Sequence, residues 1–359
     1  MFNFLKTSLG RKTYIGVDIG TTSIKLVELS GKKGERPVLK NYGTLEGYGY
    51  LDRVNNAIQT SSLKMMERDV VQLLTLLLKQ LKIETKDAVA SLPSFSAFTT
   101  LLDIPMMPKE DTKQAVEYQA QAYVPVPISE VILDYTIVNQ YDDERGIKRQ
   151  QIFLIAVQKE VVKKYQDIFK LAGLNLKVLE IEGLSLARVA TTGDPTISLI
   201  VDIGGRSTTI AVAAGGLLKY SNQIDYAGGS LTQAVSSGLN INVRRAEELK
   251  KQRGLTGTGG EYELSTLMSP FLDVIISEAK RVKYSYEKDY KGKAERVILA
   301  GGGANLKGIE DYVAREFQLP AIKVDPLQRI TYPASLAPVV KDIGAQFAVS
   351  FGLAIKEFM

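Results

Sequence analysis

Residues 17–29 read VDIGTTSIKLVEL and residues 201–212 read VDIGGRSTTIAV. Each is an apolar stretch ending in Asp, then a Gly-containing turn, then a second apolar stretch. That is the pattern of two strands joined by a tight hairpin. The shared letters alone prove little. At residue frequencies of about 6% each, a chain this long holds roughly one identical tetrapeptide pair by chance. The surroundings of each copy therefore decide whether the repeat marks a duplicated lobe.

Around the first hairpin the pattern predicts a strand over 37–45 and a helix over 65–82, MMERDVVQLLTLLLKQLK. Val70, Val71, Leu74, Leu77, Leu78 and Leu81 share one face of that helix at 3.6 periodicity. A strand over 87–92 stops at Pro93, and the Ser-, Thr- and Phe-rich run 94–104 reads as another. Pro108 opens a helix that ends before Pro125, because proline suits a first turn and stops a helix elsewhere. Strands over 131–138 and 150–157, joined by the polar loop YDDERGIKR, lead to a helix over 159–172 capped by Gly173. A strand over 177–181 and a helix over 183–190 end this half.

Beyond ATTGDPT the scheme restarts. Strands over 197–202 and 208–213 flank the second turn, and helices follow over 229–238, 243–252 and about 264–288. A strand over 296–300, a glycine cluster, a helix over 306–317 and a last helix over 342–357 complete the chain. Strands alternating with helices in this way make an α/β protein whose helices cover sheets.

With 359 residues the chain exceeds one compact core. Hydrophobic residues are 45% and charged residues 24%, as in ordinary globular chains. The formal charge of +5 is scattered; its densest stretch, Arg244 to Arg253, is broken by Glu247 and Glu248. No basic tail is present, so nucleic acid is not an expected partner. A mild basic excess still favours an anionic membrane surface. The chain has no Cys, His or Trp. This excludes disulfides, thiolate nucleophiles, imidazole acid–base catalysis and Cys/His zinc sites. Any metal must be a hard ion held by oxygen, which points to magnesium. No apolar run reaches the ~18 residues that span a bilayer. The start, MFNFLKTSLGRK, lacks the apolar region of a signal peptide, so a cytoplasmic location is expected. MFNFLK itself reads as a frayed terminus, with a short greasy anchor as the other reading.

Four stretches carry chemistry. In the first hairpin Asp18 ends a strand, Gly20 permits a tight turn, Thr21, Thr22 and Ser23 add hydroxyls, and Lys25 lies on the returning strand. A carboxylate, a nest of amides, hydroxyls and one ammonium together suit a phosphate–magnesium group. Asp202, Gly204, Gly205, Ser207 and Thr208 repeat the arrangement. Taken singly, each is also what an ordinary hairpin with a Gly turn looks like. The third stretch is RVILAGGGANLKGIEDYVARE (296–316), an apolar strand followed by Gly301, Gly302 and Gly303, then Asn305 and a helix. Glycines there let backbone lie flat against a base or ribose, and a helix N-terminus favours an anion. It lacks dinucleotide-fold spacing, and no P-loop pattern occurs anywhere. The fourth is IDYAGGSLTQAVSSGL (224–239), where Gly228 and Gly229 open a helix, followed by AEELK with Glu247 and Lys250 three apart on one face. As a bare spacing, that last pair is also a surface ion pair of a few tenths of a kcal/mol.

In this order the four stretches resemble the actin–hexokinase–chaperone ATPase superfamily, over nearly the whole chain. VDIGTTSIK is similar to its first phosphate motif, VDIGGRST to its second and LAGGGANL to its adenosine motif. AEELK resembles its base- and ribose-contacting segment, through Glu247 and Lys250. The resemblance implies ribonuclease H-like duplicated lobes with ATP or ADP between them, and Asp18 and Asp202 holding Mg2+ through water. The stretch SLPSFSAFTTLLDIPMMPKEDTKQAVEYQAQAYVPVPISEVILDY (91–135) narrows the match to the PilM family of type IV pilus and type II secretion-like machines, relatives of the division protein FtsA. The IPMMP turn, the Gln-Ala-rich helix and the YVPVP stop resemble PilM more than FtsA, as does an ending at Phe358-Met359 without a basic amphipathic tail.

The resemblance implies lobe 1A over 13–95 and 161–196, an FtsA/PilM-type subdomain 1C over 96–160, lobe 2A over 197–228 and 294–341, subdomain 2B over 229–293, and a C-terminal helix, 342–359, returning to lobe 1A. It also implies a partner: the short N-terminal cytoplasmic peptide of a PilN-like inner-membrane protein, held in a groove between 1A and 1C. That would place the chain in the cytoplasm, peripheral to the inner membrane through its partner. The apolar segment Phe95–Ile104 and the helix over 109–123 are the local sources for such a groove, or simply pack 1C onto 1A. Self-association into a ring or filament stays open. For hydrolysis the matching stretch IEGLSLARVA (181–190) offers Glu182 to position water. Relatives of the MreB and chaperone type carry Glu-Pro where this chain has Glu182-Gly183, so the expectation is ATP binding with at most slow turnover. Two other readings stand beside it: an FtsA-like division filament protein, and a sugar or metabolite kinase of the same fold. A kinase needs a catalytic Asp in its cleft, and Asp103 is the sole carboxylate between Ser91 and Pro108.

Overall fold

The computed structural model describes residues 11–47, 66–256, 262–290 and 292–359. MFNFLK and the first residue of the helix expected over 65–82 lie outside these. In chain order the first half runs β1 (Lys12–Ile19), β2 (Ser23–Gly31), β3 (Val38–Glu46), α1 (Glu67–Gln80) and β4 (Asp87–Leu92). An insertion follows: β5 (Ala97–Pro105), α2 (Lys109–Tyr123), β6 (Val131–Asp142) and β7 (Lys148–Gln158). Then α3 (Lys159–Leu171), β8 (Asn175–Ile181) and α4 (Glu182–Thr191) close the half. The second half runs β9 (Ser198–Ile203), β10 (Thr208–Ala214), β11 (Leu217–Ile224), α5 (Gly228–Leu239), α6 (Val243–Arg253), α7 (Tyr262–Asp289), β12 (Arg296–Ala300), α8 (Ile309–Phe317) and β13 (Ala321–Lys323). Helices α9 (Val340–Gln346) and α10 (Ala348–Ile355) end it.

The two halves repeat one topology. One five-stranded sheet has the order β3-β2-β1-β4-β8, the other β11-β10-β9-β12-β13. In each, three strands meander antiparallel and two more join parallel beside the first strand. The two VDIG stretches are the first two strands of each sheet. The repeat in the sequence is thus the mark of a duplicated sheet.

Buried strands explain the apolar runs. Ile15, Val17, Leu26 and Val27 are fully buried, as are Leu199, Ile200 and Val201 in the second copy. On α1 the core contacts are Val70, Leu74 and Leu77, with Val71, Leu78 and Leu81 partly buried beside them. The inserted strands form a separate sheet, β5-β7-β6. One of its faces meets α2 in a small core of Leu102, Ile104, Val116, Ala120, Ile152 and Leu154. Phe153, Ile155 and Val157, of opposite parity on β7, join the main core instead. A strand between two apolar layers reads as a continuous hydrophobic run, which is what residues 152–157 are.

Three expectations need correction. Strands β11 and β13 have no counterpart in the sequence reading. LLKYSNQI is mostly half-buried with polar residues on both faces, and AIK is too short to show a period. The helix expected over 306–317 begins only at Ile309, because Gly308 turns the chain with φ +80 and residues 302–305 form a tight 3-10 turn. The single last helix expected over 342–357 is two, bent by 89° at Phe347. One straight rod cannot serve both halves: α9 holds the glycine loop near 301, while α10 runs under β1 with all eight of its residues buried. No single helix among the described residues is long and apolar enough to cross a membrane.

The seat of α10 is tight. A Cβ on Gly16 of β1 would meet Ser350 O and lie 2.7 Å from Ala354 N. Backbone cannot yield there as a side chain can. Overpacking a core costs about 1–3 kcal/mol, so Gly16→Val is expected to lower the urea midpoint by at least that much stability, read by circular dichroism.

Candidate functional site

The two hairpins are built alike to the level of single bonds. Across β1 and β2, Asp18 stands opposite Lys25. Across β9 and β10, Asp202 stands opposite Thr209. The Gly20 N–H donates to Ser23 O at 3.0 Å, and the Gly204 N–H donates to Ser207 O at 3.0 Å. Glycine is required in the second turn, where a Cβ on Gly204 would sit 2.8 Å from Ser207 O. The two turns touch: a Cβ on Gly205 would lie 2.6 Å from Thr22 Oγ1. Between them opens a cleft of about 460 Å³.

Its floor is acidic and buried. Asp18 is buried; its Oδ1 accepts from Ser91 Oγ at 2.9 Å and its Oδ2 from Lys25 Nζ at 3.3 Å. Glu182, in the first turn of α4, accepts from Thr209 Oγ1 at 3.1 Å. Burial pushes the Glu182 carboxyl well above the ordinary carboxylate range, and the charges of Asp18 and Asp202 push it further. Burial likewise raises Asp202 to about 7, with Lys25 pulling against it and Asp18 adding to it. Burial alone would lower the Lys25 ammonium, but the carboxylates of Asp18, Asp202 and Glu182 outweigh it and raise its proton affinity. Three carboxyls thus face one ammonium in a low-dielectric cleft, which leaves room for added positive charge. No three carboxylates among the described residues approach closely enough to ligate a metal by themselves. The donor set fits a magnesium ion that keeps several waters and takes its other oxygens from a ligand.

The glycine loop after β12 flanks this floor. Gly301, at φ +78, donates its N–H to Ala345 O at 2.8 Å and packs against the Asp202 carboxylate. Gly302 faces open space on the cleft side. Gly303 does not: a Cβ there would run into Ile203, 2.6 Å from its Cβ. Asn305 donates to Asp342 O at 3.1 Å.

On the opposite wall, Gly228 and Gly229 donate their N–H groups to Gly204 O at 3.0 Å and Gly205 O at 2.7 Å. The start of α5 is therefore tied to the second hairpin and braces it. Lys250 is only 8% exposed and donates to Gly228 O, Thr232 Oγ1 and Glu247, at 2.9, 2.7 and 2.6 Å. This corrects the surface ion-pair reading: the pair clips α6 onto the start of α5. Its attraction draws Glu247 below the ordinary range despite burial, while burial lowers Lys250.

The cleft gathers Asp18, Gly20, Thr21, Thr22, Lys25 and Glu182 from the first half. From the second half it gathers Asp202, Gly204, Gly205, Ser207, Gly228, Gly229, Glu247, Lys250, Gly301, Gly302, Gly303 and Asn305. Thr208 is the exception: its hydroxyl donates to Tyr226 O at 2.6 Å, away from the cleft, and Thr209 lines it instead. The signal was present. Thr209 follows Asp202 by the same seven positions that separate Lys25 from Asp18. Ser91 and Gln346 also join the site from the end of β4 and the end of α9, with no motif to announce them. Asp103, the carboxylate a sugar kinase would need, is elsewhere. It lies on β5, paired with Arg149 at 2.6 Å and Tyr141, and does not line the cleft.

Known proteins agree with this architecture. FtsA of Enterococcus faecalis is 24% identical over 344 residues, covering 85% of this chain and 77% of FtsA. FtsA of Bacillus subtilis is 30% identical over 159 residues, 40% of this chain and 36% of FtsA. Among solved structures, the PilM–PilN type IV pilus biogenesis complex aligns with TM-score 0.78 at 23% identity, covering 96% of this chain and 98% of that one. MreB5 of Spiroplasma citri bound to AMPPNP aligns with TM-score 0.54 at 15% identity, covering 96% of each chain. The fold is the actin-like ATPase fold. The model of the type IV pilus assembly protein PilM matches residues 16–358. With a duplicated sheet, a paired-hairpin cleft and a match along nearly its whole length, this chain belongs to the PilM family of type IV pilus assembly proteins.

Proposed function

We propose that the cleft binds ATP or ADP with magnesium, and that the chain acts as a cytoplasmic adaptor for a PilN-like inner-membrane protein. The observation that carries the nucleotide half is the meeting of two equivalent hairpins, each ending a strand in Asp, beside a glycine loop with one open face. Amides and hydroxyls of both turns face a common volume where a polyphosphate would lie. Asp18 and Asp202 would hold magnesium through its waters, and the ion would neutralise charge on the phosphates. Lys25 would meet a phosphate oxygen. Gly302 leaves clearance for a base or ribose. MreB5 structures carry AMPPNP and ADP, which favours the same ligand class here.

Glu182 lines the cleft and would be the residue to orient an attacking water. Burial and the charges of Asp18 and Asp202 raise its proton affinity well above that of an ordinary carboxylate. Gly183 stands where MreB- and chaperone-type relatives carry proline, so slow or regulated turnover is expected, with binding the primary activity.

The adaptor half rests on family membership and on the solved PilM–PilN complex. The ligand is an extended N-terminal tail docking near the inserted sheet, by edge pairing and side-chain pockets. Membrane association comes through that partner. The FtsA relatives keep a division-type filament former as the second reading. A labelled peptide from the N-terminus of a cognate PilN-like protein, titrated with this chain and followed by fluorescence anisotropy, separates the two. Saturable binding that a scrambled peptide does not show is the expected result. No binding, with filaments forming in Mg-ATP, would favour the second reading.

A further inference from the structure

We infer that Gln223 couples the cleft to the inserted sheet, so that what occupies the cleft is felt at the start of β5. The inference rests on the nucleotide reading of the cleft and adds a regulatory contact within it.

Gln223 lies on β11, the edge strand of the second sheet, opposite Thr209 of β10. Thr209 in turn stands opposite Asp202. A row of three side chains therefore runs across the sheet from the cleft carboxylate to Gln223. Residues opposite one another on antiparallel strands share a face.

The amide of Gln223 has two distinct ends, and each is used. Its Nε2 donates to Ser207 Oγ at 3.0 Å, and Ser207 lines the cleft. Its Oε1 accepts from the backbone N–H of Phe95 at 2.8 Å. Phe95 sits in the turn that begins the inserted sheet, just before β5. A backbone N–H is only a donor, so it fixes which way the amide faces. With Oε1 committed to Phe95, the NH2 end must face Ser207. A serine hydroxyl that accepts this bond has its own proton left to donate, and the cleft is where a phosphate oxygen would take it.

One side chain thus reads both events. A ligand that draws in the Ser207 hydroxyl strengthens the Gln223 bond behind it, because chained hydrogen bonds polarise one another. The same amide then holds the Phe95 N–H more firmly. A second tether runs from β11 to the insertion, where Lys219 Nζ donates to Val138 O of β6 at 2.9 Å. It reaches no cleft residue, so it holds the insertion in place without reporting on the cleft. By linkage, whatever the nucleotide does to the β5 junction, a partner at that junction does to the nucleotide by the same factor.

The test is hydrogen–deuterium exchange on the full chain, with and without Mg-AMPPNP, read in peptides covering residues 94–98. In the unaltered protein, nucleotide is expected to slow exchange there about fivefold or more, the lower end for coupled sites. In Gln223→Leu, which keeps the bulk and removes both bonds, the cleft peptides should still respond while 94–98 do not. Gln223→Glu keeps the acceptor for Phe95 but replaces the donor to Ser207. It should retain the basal protection of 94–98 and lose only the nucleotide-dependent part. Lys219→Met should leave the nucleotide-dependent part intact. Unaltered protein that binds Mg-AMPPNP with no change at 94–98 would overturn the coupling, as would a full response in Gln223→Leu. If the unaltered chain binds no nucleotide at all, the reading of the cleft falls first and this inference with it.

Discussion

Asp18→Ala and Asp202→Ala are each expected to weaken Mg-ATP binding by about ten- to a hundredfold. The figure follows from the loss of a charge-assisted contact, about 1.5–3 kcal/mol, at a tenfold change per 1.4 kcal/mol. Both carboxylates are placed for it. Asp18 is pinned by Ser91 and Lys25, so its orientation is set before any ligand arrives. Asp202 is held near neutrality by burial, at about 7, and a cation would draw its proton off. The loss should therefore be a loss of magnesium dependence. Calorimetry of the unaltered chain should show much weaker binding in EDTA than in magnesium, and the two variants should show little difference between the conditions. Unchanged ATP affinity in both variants would sink this assignment of the metal carboxylates.

Gly302→Val and Gly303→Val should fail in different ways, and the contrast is the second large effect. Sequence reasoning treats the two glycines alike, as backbone lying close to a ligand. The structure separates them. A Cβ at 302 points into the cleft with nothing within 4 Å of it, so valine there costs the fold little and takes up cleft space. At 303 a side chain strikes Ile203 on β9. Overpacking of that kind costs about 1–3 kcal/mol. Gly302→Val should keep its melting temperature and lose nucleotide affinity at least about tenfold, a 1.4 kcal/mol effect. Gly303→Val should show a clearly lowered melting temperature. A Gly302→Val chain that binds ATP normally would mean the glycine loop is a packing turn.

What the sequence made legible was what period and spacing carry. The VDIG repeat, the GGG strand–turn unit and the amphipathic face of α1 all follow from local pattern, because each is written in residues close together in the chain. The sheet duplication came with them. What stayed hidden depends on contacts between distant segments. Strand β11 is half polar because its outer side meets the inserted sheet, so no alternation marks it. The break at Phe347 exists because the chain must pass from the glycine loop to the underside of β1, a demand set by the other half of the molecule. Gly228 and Gly229 read as the start of a helix, and nothing local shows that their amides hold the second hairpin. By spacing alone the Glu247–Lys250 pair also fitted an exposed ion pair, because spacing reports which face a residue is on, not how deeply that face is buried. Thr208 against Thr209 is a parity error: one step along a strand moves a side chain to the other face.

On the proposed function, the paired hairpins enclose one nucleotide-binding site. Titration of ATP into the purified chain in magnesium, by isothermal calorimetry, tests it most directly. Saturable binding of one nucleotide per chain is expected, greatly weakened when EDTA replaces magnesium. No saturable binding of ATP or ADP at millimolar concentration, by a chain that is folded by circular dichroism, would contradict it.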